Sequence, residues 1–407
     1  MKAWDVIIIG AGASGLMAAA QCASRRGGQG EVRRGGQDEV RSRRVLVLEH
    51  ARECGRKVRI TGHGRCNATN LRASAVSYVC ANPHFVKSAL ARYKPNDFLN
   101  FLDRRNVPYQ DEGQGRIFTR SAQEVAEVLR SEALEQGAEV RLGVLVRGVR
   151  QEGEGFFVDA DSGPYGAKSV IVAAGGLAWP QVGATGLGYE IAKFFGLGVT
   201  PLRPGLAPLM ASPELKDLCA DQAGVSLPVR ITLPGVRGVP AIEESLLFTH
   251  QGLSGPAVLD ASLWWSPGRS LALDLLPGVD LAEVLAASPR MDVANVLGRL
   301  LPKRLARALC ARHGWAGQVA AMSAKAQNAM AGTLHAWPFA PAGTAGFNKA
   351  EVCLGGVDTA RISSKTMECR DVPGLFFTGE VLDVTGRLGG YNLQWAWSSG
   401  FAAGQFA

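Results

Sequence analysis

Val6 to Ile9 form a short apolar run rich in β-branched residues, the pattern of a strand buried on both faces of a parallel sheet. Small helix-forming residues follow it, through Ala20. Three later runs have the same character. Arg44 to Leu48 (RVLVL) ends in Glu49, Ser169 to Ala173 runs into Ala174, Gly175 and Gly176, and Gly374 to Glu380 reads GLFFTGE. Helical periodicity is clear in FVKSALARY and AQEVAEVLRSEALEQG, so 85–136 is expected to be mostly helical, with Gly137 as the stop. VRLGVLVRGVRQE and GFFVDAD alternate like the arms of a hairpin. From about residue 200 the pattern changes. Seven prolines between Pro201 and Pro240 punctuate short apolar runs such as PVRITL and SLLFT, which predicts a mostly β inserted domain. Residues 281–330 return to helical periodicity, with basic side chains on what reads as a solvated face.

The first run leads directly into chemistry. Gly10, Gly12 and Gly15 have the spacing G-x-G-x-x-G between a strand and a helix. Gly10 permits a tight turn, Gly12 lets a pyrophosphate approach the backbone, and Gly15 lets helix and strand pack closely. The helix start, through Ala13 and Ser14, then offers N–H donors and positive potential to phosphate. Such a fold places an acid roughly 20 residues beyond the glycines to bind ribose hydroxyls. Glu49 lies 34 positions after Gly15, which looks too far. The gap contains a near-perfect tandem repeat, RRGGQGEV at 25–32 and RRGGQDEV at 33–40. Without those 16 residues the separation is 18, so Glu49 is the expected ribose ligand of a dinucleotide such as FAD or NAD. The repeat itself reads as a tolerant surface loop.

Composition adds bounds. A chain of 407 residues implies two or three domains. Its net charge is +8, which draws attention to nucleic acid, but residues 25–44 alone hold seven arginines against three acids. The eight cysteines form no C-x-x-C pair and no Cys/His cluster with zinc spacing, so neither a metal nor a redox disulfide is expected. No apolar run approaches the roughly 20 residues of a membrane helix, and the chain reads as a reduced, cytoplasmic protein.

Further candidate residues lie in three places. Gly55 to Asn70 (GRKVRITGHGRCNATN) is dense in glycine, cations and asparagine, and Arg56, Lys57 and Arg65 could reach phosphate or substrate. Cys66 within it is a candidate reactive thiol. His250, in the polar turn FTHQGLSGPA, is the candidate for acid/base work, since imidazole titrates near neutrality. Near the C-terminus, Arg387 to Gly400 (RLGGYNLQWAWSSG) places a glycine pair before an apolar helix whose start has positive potential.

In order along the chain, GAGASG, GRKVRITGHGRCNATN, AAGGLAWPQVGATGLGYEIA, LLFTHQGLSGPA and GGVDTARISSKTMECRDVPGLFFTGEVLDVTGRLGGYNLQWAWSSG together resemble the HI0933-like (YhiN/BaiN-type) FAD-dependent flavoproteins, NAD(P)/FAD-dependent oxidoreductases. The resemblance spans nearly the whole chain outside the tandem repeat. It implies an α/β fold: a glutathione-reductase-like, Rossmann-type FAD-binding domain built from both chain ends, with an inserted β-rich plus helical domain. The expected division is 1–195 (25–43 being the inserted loop), 196–345 and 346–407. The FAD pyrophosphate would lie on Gly10–Gly15 and the adenosine ribose on Glu49. Arg56, Lys57 and the loop of Thr61, Gly62, Gly64, Arg65 and Asn67 would lie beside the pyrophosphate and ribityl chain. Ala174 and Gly175 would line the cofactor, and Gly379, Glu380 and Asp383 would meet the ribityl. The helix start at Gly389, Gly390, Tyr391, Asn392 and Leu393 would face the flavin's pyrimidine edge, where a donor stabilises charge on the reduced ring. Three residues depart from the family's pattern. His63 stands where glycine is expected, Ala174 where threonine is frequent, and Glu380 where wider flavoproteins carry aspartate.

None of this selects a substrate. No second strand–GxGxxG–helix unit exists for NAD(P)H, so a nicotinamide reductant would bind transiently, or the substrate itself would supply electrons. Three readings stay open: hydride transfer between flavin N5 and a small organic molecule; reduction of uridine to dihydrouridine in large-subunit (23S) ribosomal RNA, an activity associated with some family members; and a flavin-binding regulatory protein without turnover.

Overall fold

The computed structural model describes residues 4–24 and 43–407, so the tandem repeat at 25–40 lies outside the described residues. The chain forms two compact units, one made of 1–203 with 352–407 and the other of 204–351.

The first unit is built on a seven-stranded sheet. Its parallel part runs Glu139–Leu142, Val45–Glu49, Trp4–Ile9, Tyr165–Val172, with Ile7 opposite both Leu46 and Val170. The C-terminal strand Leu375–Phe377 adds in parallel, Val170 opposite Leu375. The other half of the same edge of Tyr165–Val172 pairs antiparallel with Gly155–Ala160, which pairs with Val146–Glu152. Residues from positions near 5, 45, 170 and 375 thus lie side by side. The apolar run that opens the chain is fully buried because it sits at the centre of this sheet.

Helix Ala13–Ser24 packs against helix Tyr391–Phe406 through small residues. A side chain at Gly400 would lie 2.4 Å from the Ser14 carbonyl, and one at Gly404 would lie 2.7 Å from that of Ala18. Ser399 Oγ accepts from Gly379 N–H and Thr378 Oγ1, both at 3.0 Å, and donates to Trp395 O at 2.6 Å. Ser14 Oγ donates to Thr378 O at 3.4 Å. The two ends of the chain are therefore one packed body.

One sequence expectation holds with an interruption, and another needs correction in part. Residues 85–136 are mostly helical, but not throughout. Helices Lys87–Arg92, Pro95–Arg104 and Ala122–Glu135 are interrupted by an antiparallel hairpin, Tyr109–Asp111 with Arg116–Thr119, onto which Asn67–Asn70 adds. Gly113, Gln114 and Gly115 all take left-handed φ at its turn, which no helix permits. The expected hairpin forms between Val146–Glu152 and Gly155–Ala160, but the start of its first arm, 140–142, belongs instead to the edge strand of the parallel sheet. Gly143, at φ 71, separates it from the strands that do form the hairpin.

The second unit carries a seven-stranded antiparallel sheet. Its order is Trp337–Phe339, Leu271–Asp274, Ser226–Thr232, Ile242–Thr249, Gly252–Ser254, Leu209–Ala211, Pro341–Thr344. Ser226–Thr232 alternates exposed and buried positions, as a half-buried strand must. Helices including Leu281–Ala286, Val293–Leu300, Lys303–His313 and Ala324–His335 complete a separate core. The insertion is β-rich and helical, as the pattern of prolines and apolar runs implied.

Candidate active site

The glycine turn does what its spacing requires. Gly10 takes φ 107, and a Cβ there would come 2.5 Å from the Ala173 carbonyl. A Cβ on Gly15 would meet the Gly10 carbonyl at 1.9 Å. At Gly12, by contrast, a Cβ would have nothing within 4 Å. Two glycines are there for backbone packing, and the third leaves bare main chain facing open space at a helix start.

Glu49 ends its strand beside this turn and is buried. Its carboxylate accepts Ala11 N–H at 2.7 Å and Ala51 N–H at 2.9 Å. His50 Nδ1 lies 2.9 Å from Oε1. Burial pushes the Glu49 pKa up, but the bonds from His50, Ala51 and Ala11 outweigh it and hold the acid below its usual range. The same contact with Glu49 raises the His50 imidazole, against partial burial.

Gly55, at φ 66, caps the short helix Arg56–Ile60. From it Lys57 Nζ reaches Glu380, 2.8 Å from Oε1 and 2.7 Å from Oε2. Cys353 N–H also donates to Glu380 Oε1, at 2.9 Å. Gly176, after Ala174 and Gly175, packs against both partners of this contact: a Cβ there would fall 2.7 Å from Cys353 Cβ and 3.0 Å from Glu380 Oε1. Asp383 is buried nearby in sequence. It accepts Ala81 N–H at 3.1 Å, and burial, reinforced by the charge of Asp358, raises its pKa.

In the Thr61–Asn67 loop, Gly62, His63, Gly64 and Cys66 all have left-handed φ. His63 adopts this conformation at φ 56 and is exposed, so a side chain is accepted where the family pattern has glycine. Thr61 Oγ1 donates to Val58 O at 2.6 Å. The Arg65 guanidinium is taken up by Glu112 and lies 4.7 Å over the Phe118 ring. Asn67 Oδ1 is buried without a hydrogen-bond partner, an unsatisfied acceptor that a ligand donor would pair.

The C-terminal helix starts beside this loop. Gly390, at φ 91, is its N-cap and no side chain caps it. A Cβ on Gly390 would collide with Thr69 O at 2.4 Å and Asn67 Oδ1 at 2.8 Å. Asn70 Nδ2 donates to Gly389 O at 2.8 Å, and Tyr78 OH donates to Tyr391 O at 3.0 Å. Asn392 uses its amide on Gly386, accepting N–H at 2.8 Å and donating to O at 2.9 Å, so its side chain fixes the turn.

Cys66 must be reassigned. It is fully buried, and burial pushes its thiol up to about 12. Such a thiol stays protonated at neutral pH and is no nucleophile. His250 is exposed at the turn between Ile242–Thr249 and Gly252–Ser254, in the second unit. Cys353, Asn70, Tyr78 and Ser399 were not singled out from sequence. Each acts on a segment remote along the chain, so only Asn70 and Ser399, inside the GRKVRITGHGRCNATN and RLGGYNLQWAWSSG runs, gave any local signal.

This arrangement fits an FAD dinucleotide: open main chain at Gly12, a buried ribose-ready acid, an orphaned acceptor at Asn67 and a helix start without a side-chain cap. Residues 4–406 match the HI0933-like protein Rossmann domain. The chain belongs to the HI0933-like family. It is 41% identical, over all of its length and 98% of the relative's, to a ribosomal RNA dihydrouridine synthase of Escherichia coli. It is 42% identical to the protein of the same name from Haemophilus influenzae, covering 97% of this chain and 96% of that one. A 3-dehydro-bile acid delta(4,6)-reductase of Clostridium scindens is 32% identical over 98% of both chains. As a member of this family the chain is an FAD-dependent oxidoreductase with a Rossmann-type FAD-binding domain, and the reading without turnover is set aside. Among the described residues no group of three or more His, Cys, Asp or Glu could hold a metal, and no helix is long and apolar enough to cross a membrane.

Proposed function

We propose that this protein reduces uridine to dihydrouridine in ribosomal RNA, using FAD and an external nicotinamide reductant. The observation that carries this is end-to-end likeness to two ribosomal RNA dihydrouridine synthases at 41% and 42% identity, against 32% for the bile acid reductase. When bound, FAD supplies the two-electron hydride chemistry that reduction of the uracil C5=C6 bond needs.

The chain's own residues then have distinct tasks. The Gly10–Gly15 turn, with Ala13 and Ser14 N–H groups, holds the pyrophosphate, and Glu49 holds the adenosine ribose. Lys57, Glu380 and Asp383 would hold the ribityl chain, with Glu380 oriented by Lys57 and Cys353 N–H. The start of the Tyr391–Phe406 helix would offer its positive end to the reduced flavin. Asn67 Oδ1 accepts a cofactor or substrate N–H. Reduction also requires one proton at the substrate carbon that does not receive hydride. His250, the acid/base candidate of the sequence and an exposed imidazole, is assigned as its donor, Cys66 being fully buried.

Mass spectrometry of ribosomal RNA from a strain lacking the gene tests this reading. Loss of dihydrouridine, restored by the wild-type chain and not by His250→Ala, is the expected result. An unchanged dihydrouridine content eliminates the RNA substrate and leaves a small organic acceptor. Restoration by His250→Ala removes that residue from proton transfer.

A further inference from the structure

Residues 293–350, all in the second unit, contain seven lysines and arginines and not one acid. Four of the seven lie on helix Lys303–His313. Leu305, Ala306, Leu309 and Cys310 are buried along one side of it. At about 100° per residue, Lys303, Arg304, Arg307 and Arg312 all fall on the opposite half, and all four are exposed. None of them forms an ion pair among the described residues. Arg304 Nη2 donates to the Ala223 carbonyl at 2.7 Å, and Arg312 Nη1 donates to the Glu214 carbonyl at 3.2 Å. Two cations are thus aimed by neutral acceptors, while Lys303 and Arg307 stand clear. Glu214, whose pKa is lowered first by its bond with Ser212, also feels the charge of Arg312.

Fold stability does not account for this face. Lys303 and Arg304 occupy the first turn, where the macrodipole disfavours cations and no acid or capping side chain offsets them. Lys303 and Arg307 are like charges at i,i+4, which also destabilises. Only Arg312 and His313, in the last turn, suit the dipole. At the helix end Gly314, at φ 69, turns the chain so that Trp315 stacks on His313, with centroids 4.6 Å apart and planes 16° apart. Burial and the neighbouring Arg312 lower the His313 pKa, which keeps that ring neutral and stackable.

We propose that the outer face of helix Lys303–His313, with the His313–Trp315 stack at its end, binds the ribosomal RNA substrate. Lys303, Arg304 and Arg307 contact phosphates and the stacked rings receive an unpaired base. This rests on the RNA reading above and adds where the polyanion is gripped. Cations aligned along a rigid element with an adjoining aromatic platform match what single-stranded RNA presents. A membrane surface matches less well, because it asks for a broad face of large apolar residues beside the cations, where this surface offers the His313–Trp315 stack. All exposed large hydrophobics among the described residues lie in the first unit.

The test uses the full-length holoprotein and protein-free ribosomal RNA from the deletion strain. Binding is titrated over a range of salt for wild type, Lys303→Glu/Arg307→Glu and Trp315→Ala. The double variant is expected to bind at least tenfold more weakly, and to flatten the log K against log salt slope by about 1.4 to 1.8, two phosphate contacts' worth. Trp315→Ala is expected to lose roughly fivefold or more, the contribution of one stacked base. Bound FAD stays at the wild-type value in the double variant, and its melting temperature does not fall. Wild-type binding with an unchanged affinity and slope in the double variant overturns this surface while leaving the substrate reading intact. If wild-type protein neither binds the RNA nor restores its dihydrouridine, both fall. Charge-sensitive binding to phosphatidylglycerol vesicles without any to RNA overturns the proposal in favour of a lipid surface.

Discussion

Lys57 and Glu380 are 323 positions apart in sequence and meet through two hydrogen bonds, 2.8 and 2.7 Å long. Their side chains are 34% and 19% exposed, between the regimes of a solvated pair and a buried one. A coupling energy of about 1 to 2 kcal/mol follows, above the ~0.2–1 of exposed pairs and below the ~3–5 lost on breaking a buried one. In a double-mutant cycle, Lys57→Met and Glu380→Gln should each lower the unfolding free energy and together lose less than their sum. Effects that add within about 0.5 kcal/mol would show the pair to be energetically idle.

The glycines of the first turn should separate under substitution. Gly15→Ala drives a methyl into a carbonyl at 1.9 Å that the central sheet holds in place. It should destabilise the cofactor-free protein by about 3 kcal/mol or more. Gly12→Ala meets open space, so cofactor-free stability should stay within about 0.5 kcal/mol of wild type. Its FAD affinity should drop roughly tenfold or more, because the methyl fills the approach of the pyrophosphate. Melting curves without FAD and spectral titration with FAD distinguish the two; a Gly12→Ala protein that keeps full affinity refutes the assigned contact.

The Glu49–His50 contact has a defined pH window. Glu49 is held below its normal pKa, so its contribution is present above that value and is lost as pH falls through the lowered one. His50 is raised, so its contribution is complete below the ordinary imidazole pKa and is lost as pH rises through the higher one. The pair therefore stabilises the fold most in mildly acidic solution. With His50 half exposed, the effect is at most about 1 kcal/mol. His50→Gln should abolish the decline in melting temperature between mildly acidic and mildly alkaline pH. A decline of equal size in that variant assigns it to another group.

A thiol raised to about 12 is essentially all protonated at neutral pH. Iodoacetamide should leave Cys66 unmodified in the folded protein, as peptide mapping would reveal, and Cys66→Ala should change turnover less than about twofold. Rapid labelling of Cys66 would contradict its burial.

The parts of the site that sequence revealed are those dictated locally. Gly10 and Gly15 must lack side chains because their immediate neighbours leave no room, and Glu49 is recognisable by its distance from them once the repeat is subtracted. The glycine pair before Tyr391 is legible for the same reason. Ser14 with Thr378, Ser399 with Gly379 and Asn70 with Gly389 were not, since contacts across more than three hundred residues leave no periodic trace, and neither does the twenty-residue reach from Ser399. The hairpin at Tyr109–Thr119 was hidden by helical neighbours on both sides. Cys66 looked reactive because its flanks are basic and glycine-rich, and flanking composition does not report depth.

The seat of Leu375–Phe377 beside Tyr165–Val172, and of Tyr391–Phe406 against Ala13–Ser24, dictates the order of biogenesis. The nascent polypeptide has extruded its entire inserted unit before the segments that close the nucleotide cradle leave the exit tunnel. Flavin loading consequently waits until those segments have emerged. Any premature stop upstream of residue 375 should yield a colourless product, however well the rest of the protein has been made.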